Sequence, residues 1–528
     1  MNEVVVLKED SHKNITYATL IQAFFTSLSR VFGMINNVIM LHVFGASFVT
    51  DAFWMAYTIP NVLRRFFAEG SLSMAFVPVY LQTKEDDKDK AKDFFRDTLG
   101  FLLITLFIIT VLCIFSSSIL VKMFAYGFTD NAYQFSITNT MTKWLFPYVF
   151  MVSIVALFGA YLQCHKKFAA MSASPILLNI SMILSMIFLS SFFMPSIYCL
   201  IVGVLLGGLC QIILMIFALY KNSLLVSPRF NFKTQAMKKL MRLLGPALFG
   251  VFVYQLNIIV LRQLASFLGE GQITYYSNAD RLTQLISGVF GASIAAAALP
   301  QLSIDVSKSS LKQLFNTLEF SLKLNSFIIT PCALGLLIFA KPIVAIVYFH
   351  GAFNFKDAHF TAITLMGFAP SLISFGFSRA VMQAYYALND TKTPVIIGFF
   401  TVFINLILGV LLFNYAVLGL ALTLSVSSFF QYYLLIFYLK KKVGDEYDLK
   451  INKTFLAHLA ISLVACMVGL LIQNLGNFSI GFSVYNACVL GLMALCCGTC
   501  YFSFCYYFGF KEAKTFFSML TKKIKMPK

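Results

Sequence analysis

Charge is what this sequence has least of. Asp, Glu, Lys and Arg make up 12% of its 528 residues, about half the share of an ordinary soluble protein. Hydrophobic residues make up 59%, which excludes the several charge-coated soluble domains that a chain of this length would otherwise form. No P-loop occurs, so ATP hydrolysis by this chain is not expected. The six histidines are scattered, with no HExxH pattern and no carboxylate cluster on an outward loop, which speaks against a membrane enzyme. Met1–Asn14 is polar and the first apolar run is too long for a signal-peptide core. No cleaved leader is therefore expected, and the first span stays in the mature chain.

What is abundant is apolar sequence in runs of about 20 residues or more, recurring from Thr16 to Phe508. The runs predict an all-α polytopic membrane protein of about fourteen spans: 16–44, 51–82, 97–121, 135–163, 172–193, 197–219, 243–267, 272–302, 313–339, 357–388, 393–413, 416–439, 454–475 and 483–508. The formal charge of +18 does not point to nucleic acid. Of the 40 Lys and Arg, 29 fall in the termini and the alternate loops that face one way, and only Lys122, Lys341 and Lys356 in the opposite loops. By the positive-inside rule both termini are expected to be cytoplasmic. The eleven cysteines lie in or beside apolar runs. Cys497 and Cys500 have CxxC spacing, yet two thiols on one helix make a poor metal site and read as small packing residues.

The chain repeats itself weakly. Gly127, Pro147 and Ala160-Tyr161 recur as Gly351, Pro370 and Ala384-Tyr385, with 33 residues from Gly to Ala-Tyr in both copies. Pro78 corresponds to Pro300, 222 residues later. Each unit holds six spans, so both copies enter the membrane in the same orientation, as in transporters whose halves are related by an axis along the membrane normal. The expected organisation is an N-terminal lobe over 1–222, a C-terminal lobe over 223–442, and 443–528 as a two-span hairpin with a basic tail.

Within this apolar frame "NVLRRFFAEGSLSMAFVP", residues 61–78, places two arginines and a glutamate inside a span. Arg64 is 13 residues into its span, about 20 Å deep at 1.5 Å per residue. Arg30 is equally deep, and Arg281 lies about 13 Å in. Snorkelling does not return such guanidinia to the head groups, and deep arginines face a bundle interior or a water-filled cavity. Arg65 and Glu69 share a helix face at i,i+4, whereas Arg64 points about 100° away from Arg65. Asp280 cannot face Arg281 directly. Lys143 reads as snorkelling; Arg262, Lys323 and Arg379 stay open. Arginines from spans one, two and eight suggest an anion site suited to phosphate or carboxylate, and a structural ion-pair network is the alternative.

"SRVFGMINNVIMLHVFGASFVTDAFWMAYTIPNVLRRFFAEGSLSMAFVPVY", residues 29–80, resembles the MurJ (MviN) lipid II flippase family of the MOP exporter superfamily, and "GPALFGVFVYQ", "ADRLTQLISGVFGASIAAAALPQLS", "HGAF" and "ALNDTKTPV" continue the likeness in order. The resemblance covers nearly the whole chain and weakens after about Lys450. It implies fourteen helices, two six-helix lobes, a central cavity, and a groove for a polyprenyl tail formed with the last two helices. It implies as substrate the undecaprenyl-diphosphate-linked disaccharide pentapeptide used for peptidoglycan, moved across the inner membrane. Family positions that bind the head group map onto Arg30, Arg64 and Arg281; Ser29, Asp51, Arg65 and Glu69 also match, and Asp280 joins them as a supporting charge. Asn36 and Asn37 stand where the family has an arginine and an aspartate. Helices seven and eleven carry Asn257 and Asn405 where some members bind sodium through carboxylates, so that metal site is not carried over.

The expected function is therefore a lipid II flippase rather than an enzyme. No cofactor is expected, and the drive is the membrane potential or a coupling ion. Lipid II and membrane lipids are the expected partners, with the cell-wall synthesis machinery as a candidate protein partner. The alternatives are a flippase for another polyprenyl-diphosphate-linked oligosaccharide and a MOP-type multidrug antiporter. The second is disfavoured by the cationic cavity and the two extra spans.

Overall fold

The apolar runs fold as helices because in a membrane each backbone amide must find its partner within its own segment. A computed structural model describes residues 2–66, 71–308, 310–444, 449, 451–515 and 518, of which 2–21, 23, 71, 73, 74, 247, 249, 250, 253, 254, 292, 296 and 297 are described in backbone only. The described residues are helical with no strand. They divide into two compact units, 1–270 and 271–528. The first holds α1 (Asn2–Phe44), α2 (Phe48–Arg64), α3 (Ser71–Asp86), α4 (Lys88–Phe115), α5 (Ser117–Phe124), α6 (Ala132–Cys164), α7 (Ala169–Leu189), α8 (Cys199–Lys221) and α9 (Gln235–Ala265). The second holds α10 (Gln272–Ile286), α11 (Ala292–Ser307), α12 (Leu311–Ile338), α13 (Ala340–Tyr348), α14 (Phe355–Ala387), α15 (Lys392–Leu411), α16 (Ala416–Val443), α17 (Asn452–Gln473) and α18 (Val484–Tyr507).

Among the described residues twelve helices are long and apolar enough to cross a membrane. The two expected spans outside that set are 51–82, interrupted by the undescribed 67–70, and 243–267, which is helical within α9. Two of the expected spans are not continuous α-helices. After α2 the backbone of Arg65 and Phe66 is π-helical, and α10 and α11 are joined by a π turn over Ser287–Gly291. The 222-residue offset that relates Pro78 to Pro300 also carries Arg65 onto Ser287. α5 and α13, short helices absent from the sequence reading, likewise stand in corresponding places before Gly127 and Gly351.

The two repeated glycines have different physical reasons. A Cβ on Gly127 would lie 2.4 Å from the Ser266 carbonyl oxygen, and its amide donates to Ser266 Oγ at 3.1 Å. Gly351 instead adopts φ +64°, which a side chain would strain.

Lipid tails are as apolar as leucine, so helices in a bilayer associate through close packing and hydrogen bonds rather than through the hydrophobic effect. On α8, Gly203 and Gly207 face α7 so closely that a Cβ would meet Ser185 Oγ at 2.3 Å and Leu178 at 2.8 Å. In the first unit Phe76, Phe94, Phe95 and Tyr161 form a buried aromatic core, with the Phe95 and Tyr161 rings stacked 3.7 Å apart. The second unit uses polar contacts between helices. Asn325 Nδ2 donates to the Gly376 carbonyl at 3.0 Å, Ser425 Oγ to that of Gly367 at 2.6 Å, and Ser374 bonds Ser428 at 2.5 Å. α17 and α18 are fastened to α12 by a Ser326–His458 Nδ1 bond of 3.0 Å and a Tyr501 hydroxyl donating to the Phe327 carbonyl at 2.8 Å. Cys497 Sγ packs against Gly469, the packing role its spacing left it.

At the loops, Asp390 of "ALNDTKTPV" accepts from the amides of Lys392 and Thr393 at 3.1 and 3.0 Å and from Lys442 Nζ at 2.6 Å. Burial alone would raise its carboxyl, but the Lys442 and Thr393 hydrogen bonds outweigh that and bring it down to about 2. The latch is thus fully formed at neutral pH.

Segment 222–234 is clasped to the start of α4. Arg229 donates from Nε and Nη2 to the two oxygens of Asp97 at 2.7 and 2.8 Å and from Nη1 to Asp93 at 2.5 Å. Its amide donates to the Arg96 carbonyl at 3.0 Å. The Asp97 hydrogen bonds, ahead of the costs of burial, push the Arg229 guanidinium above its usual range. Asp97 is fully buried, so Arg229→Ala leaves a buried carboxylate without its counter-charge. That change is expected to cost about 3 kcal/mol, and thermal melts of purified Arg229→Ala, Asp97→Asn and the double variant check it. The double variant should melt above Arg229→Ala, and equal melting of all three with the parent would show that the clasp contributes nothing.

Candidate substrate site

Of the deep arginines, Arg64 and Arg281 lie close to breaks in the α register, and Arg30 lies within the continuous α1. Arg64 closes α2 and is half-buried. Its Nε donates to Asn61 Oδ1 at 2.9 Å, and Asn61 Nδ2 donates to the Tyr57 carbonyl at 2.9 Å. The guanidinium root is thereby fixed along one face of α2. Arg65, also half-buried, begins the π-helical turn. The i,i+4 pairing expected of Arg65 with Glu69 lies outside the described residues, which here stop at Phe66.

Asp51 sits in the first turn of α2, fully buried, where its charge complements the helix N-terminus. Thirteen residues separate it from Arg64, about 20 Å along the helix, so the two are not brought together.

Ser29 and Arg30 are half-buried on α1. The Ser29 carbonyl accepts from Asn179 Nδ2 of α7 at 3.5 Å, and Gly33 leaves room for the same amide. One turn further on, Asn36 and Asn37 are 6% and 1% exposed, with Asn36 Nδ2 against Met182 Sδ at 3.6 Å. Where the resemblance leads one to expect a charge pair, this chain therefore buries two neutral amides, and Asn36 packs against α7. A charge pair at such positions would have to be neutralised internally.

In the second unit Arg281 is half-buried, nine residues into α10. Its neighbour Asp280 accepts from Gln284 Nε2 at 2.6 Å. The π turn follows directly, and there Arg379 of α14 donates from Nη1 to the Ser287 carbonyl at 3.0 Å. A π turn shifts the backbone out of the α ladder, and Arg379 satisfies a carbonyl at that break. Sequence reasoning left Arg379 open; its one signal was its depth in span ten. Lys323, also left open, pairs with Glu319 at 2.6 Å. Among the described residues no group of three His, Cys, Asp or Glu could hold a metal ion.

Arg30 and Arg64 thus belong to the first unit and Arg281 to the second. Each is half-buried, Arg30 and Arg281 on helices long and apolar enough to cross a membrane and Arg64 at the end of α2, and Arg64 and Arg281 each lie within six residues of a π turn. The chemistry available is that of guanidinium groups that can take two oxygens of one phosphate in a fork.

A family model described as "Lipid II flippase MurJ" matches residues 40–489. A probable lipid II flippase MurJ of Vibrio cholerae is 33% identical over 498 residues, covering 92% of this chain and 94% of the relative. One of Haemophilus influenzae is 34% identical over 425 residues, covering 78% and 83%. Among solved structures, "Lipid II flippase MurJ, inward closed conformation" superposes with a TM-score of 0.76 at 25% identity, covering 92% of this chain and 99% of that one. A multidrug resistance MATE transporter of the MOP superfamily shares the fold, with a TM-score of 0.67 at 11% identity.

Proposed function

This chain belongs to the lipid II flippase MurJ family, and from that premise we propose that it carries lipid II from the cytoplasmic to the outer leaflet of a bacterial inner membrane. It is a transporter and not an enzyme, and its substrate is consumed in peptidoglycan synthesis. The observation that carries the reading is that the family match spans 40–489 and includes both Arg64 and Arg281, two half-buried arginines far from the ends of their spans. In a bilayer such charges are retained for a function or for a partner. A diphosphate offers the oxygen pairs that guanidinium recognises.

In this reading Arg30, Arg64 and Arg281 hold the diphosphate head group, with Ser29 beside them. Asp51, Arg65, Glu69 and Asp280 set the surrounding charge. The polyprenyl tail stays in lipid, and the 1–222 and 223–442 lobes alternate access to the two leaflets, with 443–528 appended. Both termini are cytoplasmic, on the strength of the loop charges. The buried Asn36 and Asn37 add no charge to the head-group site from this part of α1.

Complementation tests the proposal. Cells depleted of their own lipid II flippase should resume growth when this chain is expressed. Failure despite correct insertion would move the assignment to a flippase for another polyprenyl-diphosphate-linked oligosaccharide.

A further inference from the structure

The loops assigned to the outside hold only three basic residues, and Lys341 lines a cavity. The cavity, about 370 Å³, lies within the second unit. Three helix ends meet there: Lys341, Pro342 and Ala345 from the start of α13, Phe355, Ala358 and His359 from the start of α14, and Gln473 and Asn474 from the end of α17.

Its walls are sorted by chemistry. Phe349, Phe355 and Phe478 supply apolar faces, and the Phe355 ring stacks with His359 at 6.5 Å. Lys341, His359, Gln473, Asn474 and Ser479 supply the polar groups, and among the described residues no carboxylate lines it. The nearby Asp357 accepts from the Tyr275 hydroxyl at 2.8 Å and from the Asn354 amide at 3.0 Å. Gln473 Oε1 is buried with no hydrogen-bond partner among the described residues.

The rim is built rather than loose. Buried Asn486 holds the 474–482 turn, with Nδ2 donating to the carbonyls of Asn477 at 2.7 Å and Gly481 at 3.2 Å, and Oδ1 accepting from the Asn477 amide at 3.1 Å. The Phe482 amide donates to the Phe349 carbonyl at 3.3 Å, and Gly481, at φ +79°, allows that approach.

We propose that this cavity binds the phosphate-bearing head group of an anionic lipid of the outer leaflet. It sits where α14 and α17, both long and apolar enough to cross a membrane, begin and end, the level at which a span meets head groups. Basic pockets between such helices take anionic head groups, and a lysine recognises phosphate as a point charge. The amides and Ser479 bond ester or glycerol oxygens, the phenylalanine walls cover the glycerol and upper chain, and the Gln473 carbonyl oxygen accepts from a glycerol hydroxyl. A soluble phosphomonoester has the same chemistry, and the experiment separates the two sources.

The melting temperature of the full-length purified protein is followed in dioctanoyl phosphatidylglycerol, in dioctanoylglycerol, which lacks phosphate, and in glycerol phosphate, which lacks chains. Phosphatidylglycerol alone should raise it saturably. Lys341→Gln with His359→Gln should weaken the apparent affinity at least about tenfold, as loss of charge-assisted contacts does; both residues are exposed. Gln473→Leu should melt higher than the parent without lipid, because a buried unpaired oxygen is gone, and bind phosphatidylglycerol more weakly. If the double variant does not fold, Gln473→Leu carries the test. Saturation by glycerol phosphate at the same concentration would assign the site to a soluble anion and overturn the lipid. Equal shifts by dioctanoylglycerol, or unchanged binding in the variants, would overturn the site.

Discussion

Alanine at Arg64 or Arg281 is expected to stop lipid II transport while leaving the amount of protein and its membrane insertion intact. Both are half-buried beside π turns, and Arg64 is anchored through Nε to Asn61. Loss of a charge-assisted contact to phosphate costs about 1.5–3 kcal/mol, roughly ten- to hundredfold in affinity. Lysine at either position keeps the charge but loses the fork, so rescue should be partial. Arg379→Ala is the structural counterpart. It removes the donor to the Ser287 carbonyl and should lower the melting temperature. Transport assayed in proteoliposomes, alongside melts of the same preparations, separates the two. Normal transport by Arg64→Ala would place the head-group site elsewhere.

That contrast also marks what the sequence could disclose. Depth in a span singled out Arg30, Arg64 and Arg281, because hydropathy fixes where a span begins and the rise per residue fixes how far in a residue sits. The Asp390 turn was legible as a motif, and its side chain caps α15. The π turns were not legible. They leave hydropathy unchanged, and their determinants are contacts from other helices, such as Arg379 of α14 on Ser287. The Arg229–Asp97 clasp joins residues 132 apart in sequence, a separation that no local pattern signals. Asn36 and Asn37 show the converse limit. A sequence shows that a family charge pair is missing, and only the packing of Asn36 on Met182 shows which neighbour it faces.

Collapsing the membrane potential at constant pH gradient is expected to stop flipping. The diphosphate head group is anionic, and the cytoplasm is electrically negative inside. Moving one negative charge outward is favoured by about 2.3 kcal/mol per 100 mV. The arginines remain on their helices while the head group crosses, so the substrate's own charge feels the field. A coupling cation would instead need an intramembrane carboxylate to hold it. Glu319 is bound to Lys323 at 2.6 Å and Asp280 to Gln284 at 2.6 Å, so a cation at either would first have to displace an internal partner. The stretches 243–267 and 393–413 hold Asn257 and Asn405 but no carboxylate. Proteoliposomes with potassium and valinomycin set the potential independently of pH and sodium. Flipping should rise with inside-negative potential and vanish when it is clamped to zero. Transport that persists at zero potential but requires a sodium or proton gradient would refute the electrical drive. Glu319→Gln and Asp280→Asn would then be the variants to lose that ion dependence, since at each an ion could exchange with an internal hydrogen bond.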